Sequence, residues 1–316
     1  MKIGLYDIDS IKPNLALMKL SAWHKSQGDD VSFYSPLFYD LYDKIYASKI
    51  FLKSQAFYLH NDMIRGGSGF VDTLTKKLPY HIEHIYPDYS LYNSEYAMGF
   101  ITRGCIRKCS FCVVPKKEGL IRKNAELEEF CHDQKDVCLL DNNILAYKDH
   151  LIELKKLSES GKRFDFNQGL DIRLINEKNA KLLNDIRIWK KYRFAFDDPN
   201  LKELIEKKWE ILKKSGFSPR NVRVYVLVGY NTTKAEDLMR INFLKKHDIG
   251  IFIMSYVKNR YTTDIARWVN RYFYEKESFE TYCNKKKHTE IKKKITNKNN
   301  MKRLKNYINL ERFLTI

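Results

Sequence analysis

The 316-residue chain has few of the residues that mark fibrous, low-complexity or membrane-spanning proteins. It contains 13 glycines and 7 prolines, which excludes collagen-like and Pro/Gly-rich low-complexity classes. No uninterrupted apolar run approaches the roughly 18 residues that a membrane-spanning helix needs. The amino terminus turns polar by Asp7, too early for a signal peptide. The sequence therefore predicts a soluble, cytoplasmic protein without a membrane partner.

The chain is rich in hydrophobic residues and in positive charge. Hydrophobic residues make up 44% and aromatic residues 14% of the sequence, enough for a sizeable core, and the length allows two domains. The formal net charge is +18, and residues 284–316 carry 11 Lys or Arg against 2 Glu, about half of that excess. Such a basic segment is either a solvated tail or an arm that binds nucleic acid.

Cysteine is scarce, but half of it is clustered. Cys131, Cys138 and Cys283 are isolated and are interpreted as small buried hydrophobes. The other three follow the pattern CxxxCxxC at Cys105, Cys109 and Cys112. Three thiolates so close in sequence can surround one soft metal centre, either zinc or an iron–sulfur cluster. Zinc usually takes two ligands from each of two loops, and a second CxxC is absent, so the spacing favours an iron–sulfur cluster with one iron free of protein ligands.

The chain alternates between strand-like and helix-like segments. Residues 1–95 read as a small α/β unit, in which the loop from Ile8 to Asn14 follows the first strand, and ligands of open α/β sheets bind at such strand ends. From residue 96 to residue 257 the alternation is regular, and residues 258–316 read as helical and basic. Six strands are predicted in the middle segment: 98–102, 137–141, 164–169, 193–196, 222–228 and 250–256. This pattern predicts a parallel sheet, either open or curled into part of a barrel.

The cysteine motif, with the aromatic Phe111 before its last cysteine, resembles that of the radical S-adenosylmethionine (radical SAM) superfamily. The approach from Gly99 to Gly104 is similar to that of methylthiotransferases and cobalamin-dependent members. The resemblance covers roughly residues 96–257. It implies a six-stranded partial (βα)6 barrel, preceded by a small flavodoxin-like α/β domain at 1–95 and followed by the basic helical region at 258–316.

The resemblance also implies cofactors and their ligands. A 4Fe–4S cluster would be held by the three clustered cysteines, and S-adenosylmethionine (SAM) would bind its open iron. Acceptors after the second strand would meet the SAM amino group, although an ordinary Asx turn is the alternative there. A guanidinium after the third strand suits the SAM carboxylate. The implied cofactor-binding residues are Phe111, Asp141, Asn142, Asn143, Gln168, Asp171, Arg173, Asp197, Gly229 and Tyr256.

Cobalamin is left open by the same resemblance. The amino-terminal unit is similar to cobalamin-binding domains in short fragments such as Pro13 to Leu17, but the Asp-x-His-x-x-Gly motif is absent and His24 lies on a predicted helix. The expected function is reductive cleavage of SAM to begin radical chemistry, either hydrogen abstraction or transfer of a methyl or methylthio group. Expected partners are an external electron donor such as flavodoxin or ferredoxin, and a nucleic-acid substrate held by the basic tail. The alternatives are a non-catalytic, metal-containing nucleic-acid-binding protein and a degenerate member that binds SAM without cleaving it.

Overall fold

The computed structural model describes residues 1–290, and the chain forms two compact units, Met1–Val224 and Tyr225–Ile316. Among the helices of the described residues, none is both long and apolar enough to cross a membrane. The basic cluster Lys292 to Lys294 of the expected nucleic-acid arm lies outside the described residues. The earlier part of that arm, residues 284–290, is helical.

The first unit begins with a four-stranded parallel sheet of order β2-β1-β3-β4. Apolar residues of the first strand and the first helix, among them Ile3, Leu5 and Leu17, form its core. The first helix begins where the Asn14 side chain accepts a hydrogen bond from the Leu17 N–H at 3.3 Å, the usual N-cap arrangement. The elements are β1 (Lys2–Asp7), α1 (Leu15–Ser26), β2 (Asp30–Phe33), β3 (Lys44–Ser48), β4 (Ile64–Gly66) and α2 (Tyr80–Glu83).

The predicted strand at 98–102 is divided into two short strands. β5 (Ala97–Gly99) ends before Phe100, and β6 (Thr102–Arg103) pairs in antiparallel fashion with β7 (Arg122–Lys123). Between β6 and β7 lies the short helix α3 (Val114–Lys117). The β6–β7 pair therefore closes the loop that carries the three clustered cysteines.

A second parallel sheet follows, of order β5-β8-β9. The isolated bridge between Leu170 and Phe194 brings the next strand, β10, beside the end of β9. The consecutive residues Phe164, Asp165 and Phe166 are all buried, as expected for a strand covered on both faces. The elements are β8 (Asp136–Leu139), α4 (His150–Glu159), β9 (Arg163–Phe166), α5 (Glu177–Asp185), β10 (Tyr192–Ala195) and α6 (Lys202–Lys214).

The second unit begins within strand β11 (Val222–Val228), whose first three residues belong to the first unit. Within the second unit, the end of β11 lies beside β12 (Gly250–Ser255), and the Tyr256 N–H donates to the Val228 carbonyl at 3.0 Å. Helices α7 (Lys234–Lys246) and α8 (Arg260–Asn270) each begin with a capping box. Residues 279–290 form a further helical stretch.

Candidate metal centre

The loop that carries the clustered cysteines is held at its base by backbone contacts. Gly104 has φ +91, and a Cβ there would lie 2.3 Å from the Leu120 carbonyl oxygen, so only glycine fits. The next residue, Cys105, donates its N–H to the Gly119 carbonyl at 3.1 Å. The two ends of the loop are therefore fixed, and the cysteines between them are presented at the ends of the strands.

The three cysteines of this loop are free thiols in one neighbourhood. Cys105 and Cys109 are half-buried and Cys112 is exposed; the Cys112 N–H donates to the Cys109 carbonyl at 3.0 Å. Loss of water around its sulfur raises the pKa of Cys112, and the charges of Cys109, Cys105 and Asp197 raise it further. Among residues 1–290, no three His, Cys, Asp or Glu side chains are already gathered as a metal-binding group.

Asn143 contacts the first cysteine directly. Its Nδ2 donates to the Cys105 sulfur at 3.3 Å, and the Arg107 N–H donates to the same sulfur at 3.3 Å. Asn143 is only 3% exposed, and its Oδ1 has no hydrogen-bond partner among the described residues. A buried amide oxygen without a donor is costly, so this oxygen could accept a hydrogen bond from an N–H group of a bound ligand.

Two arginines converge on one carboxylate beside this sulfur. The Arg107 Nε lies 2.9 Å from Asp171 Oδ2, while Arg173 makes a forked contact to the same carboxylate at 2.6 Å and 3.0 Å. Burial raises the pKa of Asp171, but its hydrogen bonds to Arg173 and Arg107 outweigh burial and hold the pKa below its usual value. Asp171 stays ionised and orients both guanidinium groups.

Asp141 and Asn142 support the start of the cysteine loop. Asp141 is buried and accepts hydrogen bonds from the Ile101 N–H at 3.1 Å and from both the N–H and the hydroxyl of Thr102. Burial raises the pKa of Asp141 to about 6, against the lowering effect of these hydrogen bonds. Asn142 accepts from the Gly104 N–H at 3.0 Å. Of the segment expected to meet SAM, Asn143 is therefore the residue whose acceptor oxygen is without a donor.

The other expected cofactor residues lie in different surroundings. Phe111 and Asp197 are half-buried and Gln168 is exposed. In the second unit, Gly229 has φ +75, and a Cβ there would lie 2.6 Å from the Thr262 side chain. Also in the second unit, Tyr256 is exposed and its ring lies 4.7 Å from that of Tyr230.

Two arginines next to the cysteine motif, Arg103 and Arg107, have different partners. Arg103 stacks on Phe100 at 3.7 Å and forms ion pairs with Glu83 and Glu118. Arg107 donates its backbone N–H to the Cys105 sulfur, and its guanidinium contacts the Asp171 carboxylate. Nothing in the sequence separates these two arginines, because both flank the same motif and only the fold decides which acids they meet.

The basic carboxyl-terminal segment begins with lysines that already have partners. Within the second unit, Lys285 lies 2.7 Å from Glu277, and Lys286 forms an ion pair with Asp264. These two lysines therefore contribute to the packing of the helical stretch 279–290. Their positive charges are partly neutralised by these acidic residues, so they are less available to bind an external anion.

Comparisons with known proteins give one partial match and no family assignment. No protein-family model matches the chain. The chain is similar to a CDK5RAP1-like protein of Oryza sativa subsp. japonica, with 30% identity over an alignment of 125 residues that covers 35% of this chain and 20% of that protein. The match thus spans about a fifth of the length of this curated relative, and the activity of the whole relative does not follow from it.

Proposed function

We propose that the protein is a radical SAM enzyme, in which Cys105, Cys109 and Cys112 hold a 4Fe–4S cluster that serves to cleave SAM reductively. The observation that carries the proposal is the CxxxCxxC loop beside the buried, unpartnered oxygen of Asn143. The partial similarity to a CDK5RAP1-like protein, a name that points to methylthiotransferase-related radical SAM proteins, supports the same family coarsely. Transfer of a methyl or methylthio group is the finer form of this proposal.

The residues present fit such a centre. Three sulfurs from one loop match a cluster that leaves one iron open, and thiolate ligands suit iron–sulfur clusters. Arg107 and Arg173 supply positive charge beside the sulfurs, which offsets the negative charge of thiolates. We also propose that strands β5 and β8 to β12 belong to a partial (βα)6 barrel and that residues 1–95 are flavodoxin-like, since parallel strands alternate with helices in both segments.

In the proposed mechanism the protein positions the cofactors and excludes side reactions. Cys105, Cys109 and Cys112 would hold the cluster, which would supply the electron for reductive cleavage of SAM. Asn143 Oδ1 would accept a hydrogen bond from the SAM amino group. Asp171 fixes the guanidinium groups of Arg173 and Arg107, which would meet anionic groups of the ligand. Asp141 holds the base of the cysteine loop.

Cobalamin is not part of the proposal, because neither the loop after β1 nor His24 supplies a histidine ligand for its cobalt. The loop from Ile8 to Asn14 contains no histidine that could bind cobalt. His24 on α1 is fully buried, and its two ring nitrogens are engaged by Asp29 at 2.6 Å and by the Tyr46 hydroxyl at 3.0 Å. A histidine held on both nitrogens inside the core is unable to act as a metal ligand.

Anaerobic reconstitution with iron and sulfide tests the proposal. We expect a brown protein with about four irons per chain and absorption near 400 nm. Addition of dithionite and SAM should then produce 5′-deoxyadenosine. In the cell, an external electron donor such as flavodoxin or ferredoxin would take the place of dithionite. A colourless protein that binds zinc would contradict the proposal and favour a non-catalytic metal-containing protein. Formation of the cluster without production of 5′-deoxyadenosine would indicate a degenerate member of the superfamily that binds SAM without cleaving it.

The role of Asn143 gives a separate prediction. Asn143→Leu keeps the size of the side chain but removes the buried acceptor, so we expect SAM affinity to fall by roughly tenfold, or about 1.5 kcal/mol, the scale of a hydrogen bond to a charged group. Calorimetry on the reconstituted protein measures it. The exposed Asn61→Leu serves as a matched control and should bind SAM normally. Equal affinity in both variants would remove Asn143 from the SAM site.

A nucleic-acid substrate is proposed from the basic carboxyl-terminal sequence. Deletion of residues 291–316 keeps Lys285 and Lys286, which are paired within the second unit. It removes most of the other Lys and Arg residues of the segment 284–316. We expect weaker binding to mixed tRNA and single-stranded DNA, with a log–log salt slope that falls by about one unit for each lost phosphate contact. Identical affinity and slope in the truncated protein would make the segment a solubilising tail.

A further inference from the structure

A second group of charged side chains lies outside the cysteine loop, around a buried carboxylate of the first unit. Asp165 on β9 has a fully buried side chain and is contacted by three cations. Arg193 on β10 forms a direct ion pair with it, while the ammonium groups of Lys190 and Lys12 lie 3.4 Å and 3.8 Å from its Oδ2. Lys12 comes from the loop after β1, so the first sheet contributes a side chain to the second.

One carboxylate is thus shared by three cations. Asp165 Oδ2 has no hydrogen bond among the described residues, and the ammonium groups of Lys190 and Lys12 contact it only as ion pairs. The groups nearest to Lys12 add no compensating charge: its ammonium donates to the neutral Asn167 amide and lies 3.6 Å from the Cys138 sulfur. Burial raises the pKa of Cys138, which keeps this thiol neutral. The site therefore retains positive charge that a second anion would neutralise.

The two lysines are also accessible to a ligand. The side chains of Lys12 and Lys190 are 34% and 39% exposed. Since both ammonium groups lie within 4 Å of the same oxygen, one phosphate or carboxylate group can bridge them. An aromatic wall adjoins them: Lys190 lies 4.4 Å from the Trp189 ring, which is 5.5 Å from the ring of Tyr96. Such a ring surface suits a planar group attached to the anion.

Lys12 lies at the same edge of the sheet as the residues beside the cysteine loop. Its partner Asn167 directly follows β9, and the Asn167 N–H donates to the carbonyl of Leu139, the last residue of β8. Asn143 and Asp171 follow the same two strands. The lysine head group therefore lies at the carboxyl edge of the sheet, where ligands of parallel sheets bind.

We propose that Lys12 and Lys190 bind a phosphate or carboxylate group of a ligand, and that Asp165 is the buried counter-ion that positions them. In combination with the proposed function, on which this step rests, the ligand is the substrate of the radical reaction. The substrate class is then an anionic molecule with a planar ring next to its charged group.

The test uses the full-length, iron-free protein, so that its failure leaves the cluster proposal untouched. Inorganic phosphate, acetate and AMP are titrated by calorimetry at constant ionic strength. We expect one saturable site for phosphate or acetate, at least tenfold weaker in Lys12→Met or Lys190→Met and absent in the double variant. Lys12→Arg retains the charge and should retain binding. Lys148→Met, at a lysine that is 83% exposed, serves as the control.

The outcomes separate the ligand types and the role of Asp165. Phosphate binding with tighter binding of AMP would assign a phosphate next to a ring, and preferential acetate binding would assign a carboxylate. Asp165→Asn removes the counter-ion that positions the two lysines, so phosphate should raise the melting temperature of this variant less than that of the wild-type protein. Absence of saturable binding by all three probes, or equal binding by wild type and the double lysine variant, would overturn the proposal.

Discussion

Joint replacement of Cys105, Cys109 and Cys112 by alanine is expected to abolish the cluster and SAM cleavage completely. The chain offers these sulfurs from a single loop closed by the β6–β7 pair, and alanine supplies no ligand for iron. Iron and sulfide analysis and the absorption near 400 nm after anaerobic reconstitution measure the loss. Each single alanine variant should lose most of its iron as well, because a cluster with two protein sulfurs is left with a second open iron.

The remaining cysteines provide the controls. Cys131 is buried, with its thiol directed to the Gln134 carbonyl at 3.6 Å, and Cys283 belongs to the second unit. Cys131→Ala and Cys283→Ala should keep full iron content and full production of 5′-deoxyadenosine. If the triple variant still bound iron and sulfide while one of the controls lost them, the ligand assignment would be wrong.

Most of the strands between residues 96 and 257 were predictable because their signal is local, whereas β3 and β4 of the first unit were not predicted. Runs such as Val222–Val228 alternate buried and half-buried residues with a period of two, and β-branched side chains fill them. The β6–β7 pair escaped prediction because each strand has only two residues, too few to carry a period. The predicted strand 98–102 includes Phe100, where the structure has a break between β5 and β6.

The site was less predictable because hydrogen bonds between distant segments decide it. Asp141, Asn142 and Asn143 are equivalent acceptors in the sequence, yet two of them bind backbone N–H groups near the cysteine loop and one retains an unpartnered oxygen. Lys12 and Asp165 are far apart in sequence and carry no motif. Only the docking of the loop after β1 on β9 brings them together.

Replacement of Asp141 is expected to produce the largest loss of stability of any single change at the site. Its carboxylate accepts from the Ile101 N–H and from the N–H and hydroxyl of Thr102, in a place that water does not reach. Asp141→Ala leaves these three donors unsatisfied, and each buried donor costs about 1–3 kcal/mol. We expect a destabilisation of about 3–5 kcal/mol in urea unfolding of the iron-free protein, and a low iron content after reconstitution because the base of the loop is released.

The pH dependence of stability identifies the same carboxyl group. Burial raises the pKa of Asp141 from 3.8 to about 6 in the folded protein, so folding takes up a proton between these values. The contribution of this group is therefore fully favourable below about pH 4 and is lost as the pH rises through 6. A difference of roughly two pKa units corresponds to about 3 kcal/mol. The unfolding free energy of wild type minus that of Asp141→Asn should fall by about this amount between pH 4 and pH 7.

Thr102 supplies the matched pair of variants for this titration. Its hydroxyl lies 2.6 Å from Asp141 Oδ1 and is one of the groups that lower the pKa of that carboxyl. Thr102→Val removes the hydroxyl at constant shape, so the pH at which stability is lost should move upward, whereas Thr102→Ser keeps the hydroxyl and should leave it in place. Urea unfolding at intervals of half a pH unit resolves the three curves. A difference between wild type and Asp141→Asn that is constant from pH 4 to pH 7 would mean that Asp141 titrates as an ordinary carboxyl, and its burial would then have no part in the pH dependence of the fold.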